Sequence, residues 1–269
     1  MRAYSLGKIG GWSSATSTSA REAVAVGAST RSRPDGYIVT TYRDHGQALA
    51  RGMSARAVMA EQLGEGTGCS HGKGGSMHLF DASLGFLGGH GIVGGHIRWR
   101  PASASPSSTG SRTRWRSGFF SEAAINNGAF HEALNMAGIY KAPCIFICEN
   151  NRYGMGTALD RATATWNISE RAASYDMSRE VVDGRDLLEV QAAMDRAVVR
   201  ARRPAAPTLL EIRTYRFVGH SMSDPIHGHY RTKEEVEAHR LRDPITLWSE
   251  KLKADGLIDD EALRKMDEG

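Results

Sequence analysis

At 269 residues, with 41% hydrophobic and 24% charged side chains, the chain has ordinary globular composition and enough length for one substantial core, which excludes disorder as a whole. No apolar run approaches the roughly 18 to 20 residues of a membrane helix, and the opening MRAYSLGKIGG lacks the apolar middle of a secretory signal, so a soluble cytoplasmic protein with no membrane partner is expected. The net charge of +4 would raise nucleic acid as a partner, but Arg98, Arg100, Arg112, Arg114 and Arg116 lie in one acid-free stretch, and without those five the chain has 29 basic and 30 acidic residues; no nucleic-acid partner is expected.

In chain order, the stretch GGWSSATSTSARE has no period and precedes EAVAVGA, which begins a helix. GYIVTTYRDHG reads as a β-branched strand ending in a polar loop, and SARAVMAEQLGEG as an amphipathic helix with a glycine stop. The following HGKGGSMHLFDASLGFLGGHGIVGG is rich in glycine and reads as an ordered, close-packed loop without regular structure. The segment HIRWRPASASPSSTGSRTRWRSGFF then has neither a helical nor a strand period.

Beyond it, NNGAFHEALNMAGIYKAP predicts a helix with Asn126 or Asn127 at its N-cap and Pro143 as a stop, and CIFICENN a central parallel strand. RDLLEVQAAMDRAVVRARR reads as a helix, PTLLEIRTYRF as a strand, and GHSMSDPIHGHYRTKEEVEAH as a polar loop entering a helix. DPITLWSEKLKADG is a helix with Asp243 as N-cap, Pro244 in its first turn and Gly256 at its end, and DDEALRKMDEG begins another. Strands alternating with helices predict an α/β fold, a parallel sheet flanked by helices. Cys69, Cys144 and Cys148 lack metal-site spacing and read as buried reduced thiols.

In such sheets ligands sit at the C-terminal ends of strands. After one strand, Arg43 can grip a phosphate by two charged hydrogen bonds with Tyr42 donating beside it, although the same residues suit a surface ion pair. In GGHGIVGG, Gly91 and Gly94 allow backbone to approach a flat ligand, or simply make a tight turn. Glu122 and the ENNRYG run return to one sheet edge, so Glu122, Asn151 and the Tyr153 carbonyl form a hard-oxygen set for Mg²⁺ bridging to a diphosphate; an Asn-rich turn with a capping Glu is the other reading. His220 in GHSMSDP suits proton transfer or phosphate contact, with His227 and His229 following in the same loop. Gly89-x-Gly91-x-x-Gly94 falls inside a stretch read as loop, after no predicted strand, which argues against a nicotinamide-dependent dehydrogenase.

Taken together, TTYRDHG, GKGGSMHLF, GGHGIVGG, GAFHEALN, CENNRYGMGT and GHSMSDP with YRTKEEVE resemble the α-subunit family of thiamine-diphosphate-dependent E1 components of 2-oxo acid dehydrogenases, and NNRYGMGT its pyruvate branch. The resemblance implies a thiamine-diphosphate-binding fold and the oxidative decarboxylation of pyruvate, with the acetyl group passed to a lipoyl group. The implied cofactors are thiamine diphosphate and Mg²⁺. The implied partners are an E1 β subunit in an α2β2 assembly, the lipoyl domain of E2 and a small 2-oxo acid. Carried over, Tyr42, Arg43 and His220 contact the diphosphate, Gly91 and Val93 meet the aminopyrimidine through backbone, Glu122, Ala123 and Ala124 line the cofactor, and Glu122, Asn151 and Tyr153 bind the metal. His220 is the catalytic candidate, assisting the transfer step. E1 α chains for another 2-oxo acid or for acetoin, and a non-catalytic remnant, are the alternatives.

The chain departs from this pattern in three places. Ser121-Glu122-Ala123 replaces the family's Gly-Asp-Gly, which lengthens the carboxylate and crowds the backbone beside phosphate. Segments 12–21 and 97–118 lie outside the motifs that carry the resemblance, and both read as out-of-frame translations. A coding of the family's Ile-Pro-Leu-Ala with one base dropped gives Ile-Arg-Trp-Arg, as at Ile97 to Arg100. A coding of its Phe-Cys-His-Leu-Tyr-Ile-Gly-Gln read one base late gives Ser14 to Arg21. Pro101 and Pro106 would break the helix the family places there. A divergent Arg/Ser-rich loop is the alternative. The whole chain, 1–269, is expected to form a single domain shortened at both ends.

Overall fold

Six strands pair into one parallel sheet in a computed structural model that describes residues 20–32, 36–98, 115–202, 206–221, 224 and 228–268. In chain order the elements are α1 (Glu22–Arg31), β1 (Tyr37–Thr41), α2 (His45–Ala50), α3 (Ala55–Gln62), β2 (Phe86–His90), β3 (Arg116–Ser121), α4 (Gly128–Ile139) and β4 (Cys144–Asn150). A two-stranded antiparallel ribbon, β5 (Tyr153–Gly154) and β6 (Thr157–Ala158), leads to α5 (Leu159–Ala162). The chain continues through β7 (Ser178–Asp183), α6 (Leu187–Arg202), β8 (Thr208–Arg213), α7 (Lys233–Arg240), α8 (Pro244–Ala254) and α9 (Asp260–Glu268). The strand order β2-β1-β3-β4-β8-β7 confirms the expected α/β class.

The central strand shows why the sheet is covered on both sides. Along β4, Ile145 and Ile147 join one apolar cluster, with Val24 and Ala28 of α1 and Val190 and Met194 of α6. Cys144, Phe146 and Cys148 join the other, with Phe130, Ala133 and Leu134 of α4. Alternate residues point to opposite faces, so a strand buried on both must be apolar throughout. Cys144 and Cys148 are buried free thiols as expected, whereas Cys69 is only half-buried. Local capping is as the sequence predicts: Asn127 accepts from Ala129 N at 2.9 Å, and Asp243 from Ile245 N at 2.8 Å. Gly256 follows α8 with φ +68°, the left-handed conformation that ends a helix.

Three elements depart from the sequence reading. Helix α2 starts at His45, directly where a loop was expected. Strand β2 lies inside the glycine-rich stretch read as loop; Gly88, at φ +91°, sits where the β1–β2 register shifts, and a side chain there would strike the Phe80 ring. Strand β7, SREVVD, has a half-polar pattern because it is the sheet edge and exposes one row of side chains.

Of segment 97–118, residues 99–114 lie outside the described residues, Pro101 and Pro106 among them, as do 12–19 of the first odd stretch, and also His227. The ends of the later segment belong to the fold. Ile97 and Trp115 are fully buried, Arg98 pairs with Glu132 at 2.7 Å, and Arg116, Ser117 and Gly118 open β3 between β1 and β4.

The loop after α3 is organised by one buried carboxylate. Glu61 accepts from Ser70 N at 2.7 Å and Gly72 N at 2.9 Å on one oxygen, and from Gly74 N at 2.6 Å and Gly75 N at 3.2 Å on the other. Burial pushes its pKa up, but the backbone N–H groups outweigh burial and leave it below the ordinary carboxylate value. Among the described residues no helix is long and apolar enough to cross a membrane.

Candidate active site

From β1 the chain runs to β2 on one side, and from β3 to β4 on the other, so the sheet order reverses between β1 and β3. Such a reversal opens a crevice at the C-terminal strand ends, where α/β sheets bind ligands. A cavity of about 340 Å³ lies there, bordered by Tyr42 and Arg43 after β1, Glu122 after β3, and Asn151 and Tyr153 after β4.

One wall is basic. Arg43 is buried; its Nη2 donates to the His220 carbonyl and lies 3.2 Å from His220 Nδ1. Burial and the neighbouring Arg21 lower the Arg43 pKa to about 10. Tyr42 stands edge-on to the His220 ring with centroids 6.5 Å apart. Arg216, just beyond β8, reaches the Met155 carbonyl at 2.8 Å and the Tyr153 carbonyl at 3.4 Å. Arg21 precedes α1 and pairs at 2.6 Å with Glu149 at the end of β4, whose other oxygen accepts from Gln47 Nε2 at 2.8 Å. Both members are buried, and burial raises the Glu149 pKa despite the opposing pull of Arg21.

The other wall is built of oxygens. Ser121 caps the short turn Glu122–Ala124 by accepting from Ala123 N at 3.2 Å. Glu122 is 2% exposed, and its Oε2 accepts from Asn151 N at 3.1 Å and Asn151 Nδ2 at 3.3 Å. Its Oε1 is buried with no partner among the described residues. Burial raises the Glu122 pKa to about 7, offset only in part by the Asn151 N–H. The Asn151 Oδ1 accepts from Tyr153 N at 3.4 Å. Ala123 and Ala124 line the same cavity, and a side chain on Gly154 would come within 2.8 Å of the Ala123 Cβ.

The structure therefore brings Tyr42, Arg43, Val93, Glu122, Ala123, Ala124, Asn151, Tyr153 and His220 to one cavity. Gly91 is not among its lining residues; it packs beside His78, whose Cε1 would be 3.3 Å from an added Cβ. The neighbouring Val93 carbonyl accepts from Asn127 Nδ2 at 3.2 Å, which ties the glycine-rich loop to the start of α4. Sequence reasoning missed Arg21 and Arg216. Arg21 falls in a segment set aside as aberrant, while Arg216 follows a fourth strand end that carries no obvious motif.

Chemically, the cavity offers guanidinium, phenol and imidazole donors opposite a carboxylate, an amide oxygen and a carbonyl. The first group suits a polyanion and the second a hard cation. No cluster of three or more His, Cys, Asp or Glu side chains able to hold a metal occurs among the described residues, so any ion here would depend on amide, carbonyl or ligand oxygens as well.

Comparison with known proteins identifies the family. Residues 2–269 match the family described as Dehydrogenase E1 component. The chain is 42% identical over 265 residues to pyruvate dehydrogenase E1 component subunit alpha of Rhizobium meliloti, covering 98% of this chain and 75% of that one. Identity is 42% over 250 residues to the subunit of that name from Zymomonas mobilis, covering 92% and 70%. The somatic, mitochondrial form from Homo sapiens is 40% identical over 248 residues, covering 92% of this chain and 62% of the human one. The chain belongs to the dehydrogenase E1 component family.

Proposed function

We propose that this chain is the α subunit of a pyruvate dehydrogenase E1 component, a cytoplasmic enzyme that uses thiamine diphosphate and Mg²⁺ to decarboxylate pyruvate oxidatively and pass the acetyl group to a lipoyl domain. The relatives' names support the reaction. The observation that carries the cofactor assignment is the cavity with Tyr42, Arg43, Arg216 and His220 facing Glu122, Asn151 and Tyr153 at the β1/β3 reversal. In line with the family resemblance, the chain acts as one thiamine-diphosphate-binding domain and completes its site with a β subunit in an α2β2 assembly; Glu122 is the one carboxylate among the described residues lining this cavity.

The orphaned, buried Glu122 Oε1 fits a hard cation: a carboxylate oxygen without a donor is costly to bury, and Mg²⁺ with phosphate oxygens would complete it. Glu122, Asn151 and the Tyr153 carbonyl would hold the ion. Tyr42, Arg43 and His220 would hold the diphosphate, and the Val93 backbone would meet the aminopyrimidine. Bound there, the cofactor supplies the nucleophilic carbon and electron sink that decarboxylation requires. The protein's own work is orientation. Buried guanidinium groups fix the diphosphate end, and Glu149 and Gln47 hold Arg21 so that the basic wall is already in place before binding.

Calorimetric titration of the assembled α and β chains with thiamine diphosphate and MgCl₂ tests this reading. Binding heat that EDTA abolishes is the expected result. Absence of heat would instead make the chain a non-catalytic remnant, the reading favoured by Ser121-Glu122-Ala123 standing where backbone should meet phosphate. The out-of-frame origin of segments 12–21 and 97–118 is decided separately by the nucleotide sequence across them.

A further inference from the structure

We propose that Arg43 fixes His220 as the neutral imidazole with its proton on Nε2, so that His220 serves the cavity as a hydrogen-bond donor and not as a proton shuttle. The inference rests, for its ligand, on the diphosphate reading above; for its chemistry it rests on one contact. Arg43 Nη2 lies 3.2 Å from His220 Nδ1. A guanidinium has donors only, so the facing ring nitrogen must offer a lone pair; a proton on Nδ1 would set two N–H groups against each other.

The ring cannot easily turn away from this contact. Arg43 Nη2 also donates to the His220 carbonyl. On the other side the His220 N–H donates to Asp224 Oδ2 at 2.5 Å, and Tyr230 OH donates to the same oxygen at 2.6 Å. The backbone of residue 220 is thus held from both sides, and a flip of the ring would face Arg43 with carbon in place of nitrogen. The charged and titratable groups around His220 are Arg43 and Arg216, which oppose protonation, Asp224, which favours it but is already engaged by backbone and phenol, and Tyr42 edge-on to the ring. Burial, then Arg43 and Arg216, lower the His220 pKa to about 4, in agreement with a neutral ring.

Once Nδ1 accepts, the single proton of a neutral ring sits on Nε2. That atom has no hydrogen-bond partner among the described residues, and the ring lines the cavity. It therefore presents an N–H to an anionic oxygen, the class of acceptor a diphosphate offers. Arg43 acts here as a positioning residue as well as a cationic contact, since it selects the tautomer of its neighbour.

The test uses the full chain labelled with ¹⁵N-histidine, the His220 signals being identified by their absence from His220→Gln. The expected result, across about pH 6 to 8, is a non-protonated Nδ1 and a protonated Nε2 with no titration in that window. An Nδ1–H tautomer, or an imidazolium near neutral pH, would overturn the proposal. Arg43→Met should release the constraint and move the His220 titration up towards its ordinary value near 6.5.

A second measurement, in the complex with the β chain, separates donor from acid. A Gln amide nitrogen replaces Nε2 and an Asn amide nitrogen replaces Nδ1, so His220→Gln should bind thiamine diphosphate about tenfold more tightly than His220→Asn. Its kcat profile should keep the pH limbs of the unsubstituted enzyme, whatever its rate. Equal weakening by both changes, with a limb lost, would show proton transfer through His220. If the unsubstituted complex binds no thiamine diphosphate, the functional reading fails, and the labelled-histidine result still decides the tautomer.

Discussion

The two walls of the cavity are finished to different degrees. On the basic wall every long side chain already has its partner: Arg21 has Glu149, Arg43 has His220, and Arg216 has the Tyr153 and Met155 carbonyls. On the oxygen wall Glu122 has one satisfied oxygen and one buried oxygen with no partner among the described residues, and burial raises its pKa to about 7. Positive charge can be assembled in advance because neighbouring carboxylates and carbonyls absorb it. A buried carboxylate oxygen that faces no donor has no such substitute and stays uncompensated until a cation or a proton reaches it.

The largest effect that would break this contrast is expected at Arg21. Arg21→Leu leaves the buried Glu149 without its cation, and urea unfolding should show a loss of about 3 to 5 kcal/mol. Adding Glu149→Gln should recover much of it; if Arg21→Leu alone costs nothing, the basic wall is not preassembled through this pair. Next comes Glu122→Ala. Changes behind a metal ligand typically cost about 10- to 100-fold in affinity, so if Glu122 holds the ion as proposed, removing it should weaken Mg²⁺-dependent cofactor binding by roughly 100-fold. Unchanged titration heats would remove Glu122 from the metal's surroundings.

A smaller effect sharpens the packing of the oxygen wall. Gly154→Ala forces a methyl to 2.8 Å from Ala123 and should destabilise the fold by about 1 to 3 kcal/mol, with Ala123→Gly restoring most of the loss. The smallest concerns Asp44, fully buried behind the basic wall, with its pKa raised to about 8 by burial. An unfolded Asp ionises near 3.9. Its contribution to stability is therefore complete below about pH 4 and declines as pH rises towards 8. Raising the pH from about 7 to 8 should lower the unsubstituted chain's stability by up to about 1 kcal/mol from this group, and that decline should be absent in Asp44→Asn. Equal pH slopes for the two proteins would show that Asp44 is ionised in the fold.

What could be read in advance was what local chemistry determines. Asn127 and Asp243 cap helices through contacts two residues away, and CIFICEN declares a doubly buried strand by composition alone. Glu122, Asn151 and Tyr153 were placed together because one helix separates two parallel strands. What escaped depends on distance or on burial. Arg21 gains its meaning from Glu149, 128 residues away, and β7 is an edge strand whose polar residues disguise it. In β2, glycines are needed because Phe80 and Asp44 press against the backbone, which no periodicity announces. The unperiodic segment was read as wholly foreign, yet Ile97 and Trp115 at its margins are buried as fully as any residue of the core.

The loop around Glu61 has a consequence for selectivity. A glycine-rich turn with several backbone N–H groups converging on one point is an anion receptor, and GKGG in isolation would pass for a phosphate loop. In this chain the receptor carries its own anion, covalently tethered and therefore present at high effective concentration. A free phosphate competing for those N–H groups would have to expel a carboxylate that cannot diffuse away. The molecule thus fills this glycine-rich turn from within, and the proposed diphosphate is left the cavity at the sheet's reversal, where His220 Nε2 has no hydrogen-bond partner among the described residues.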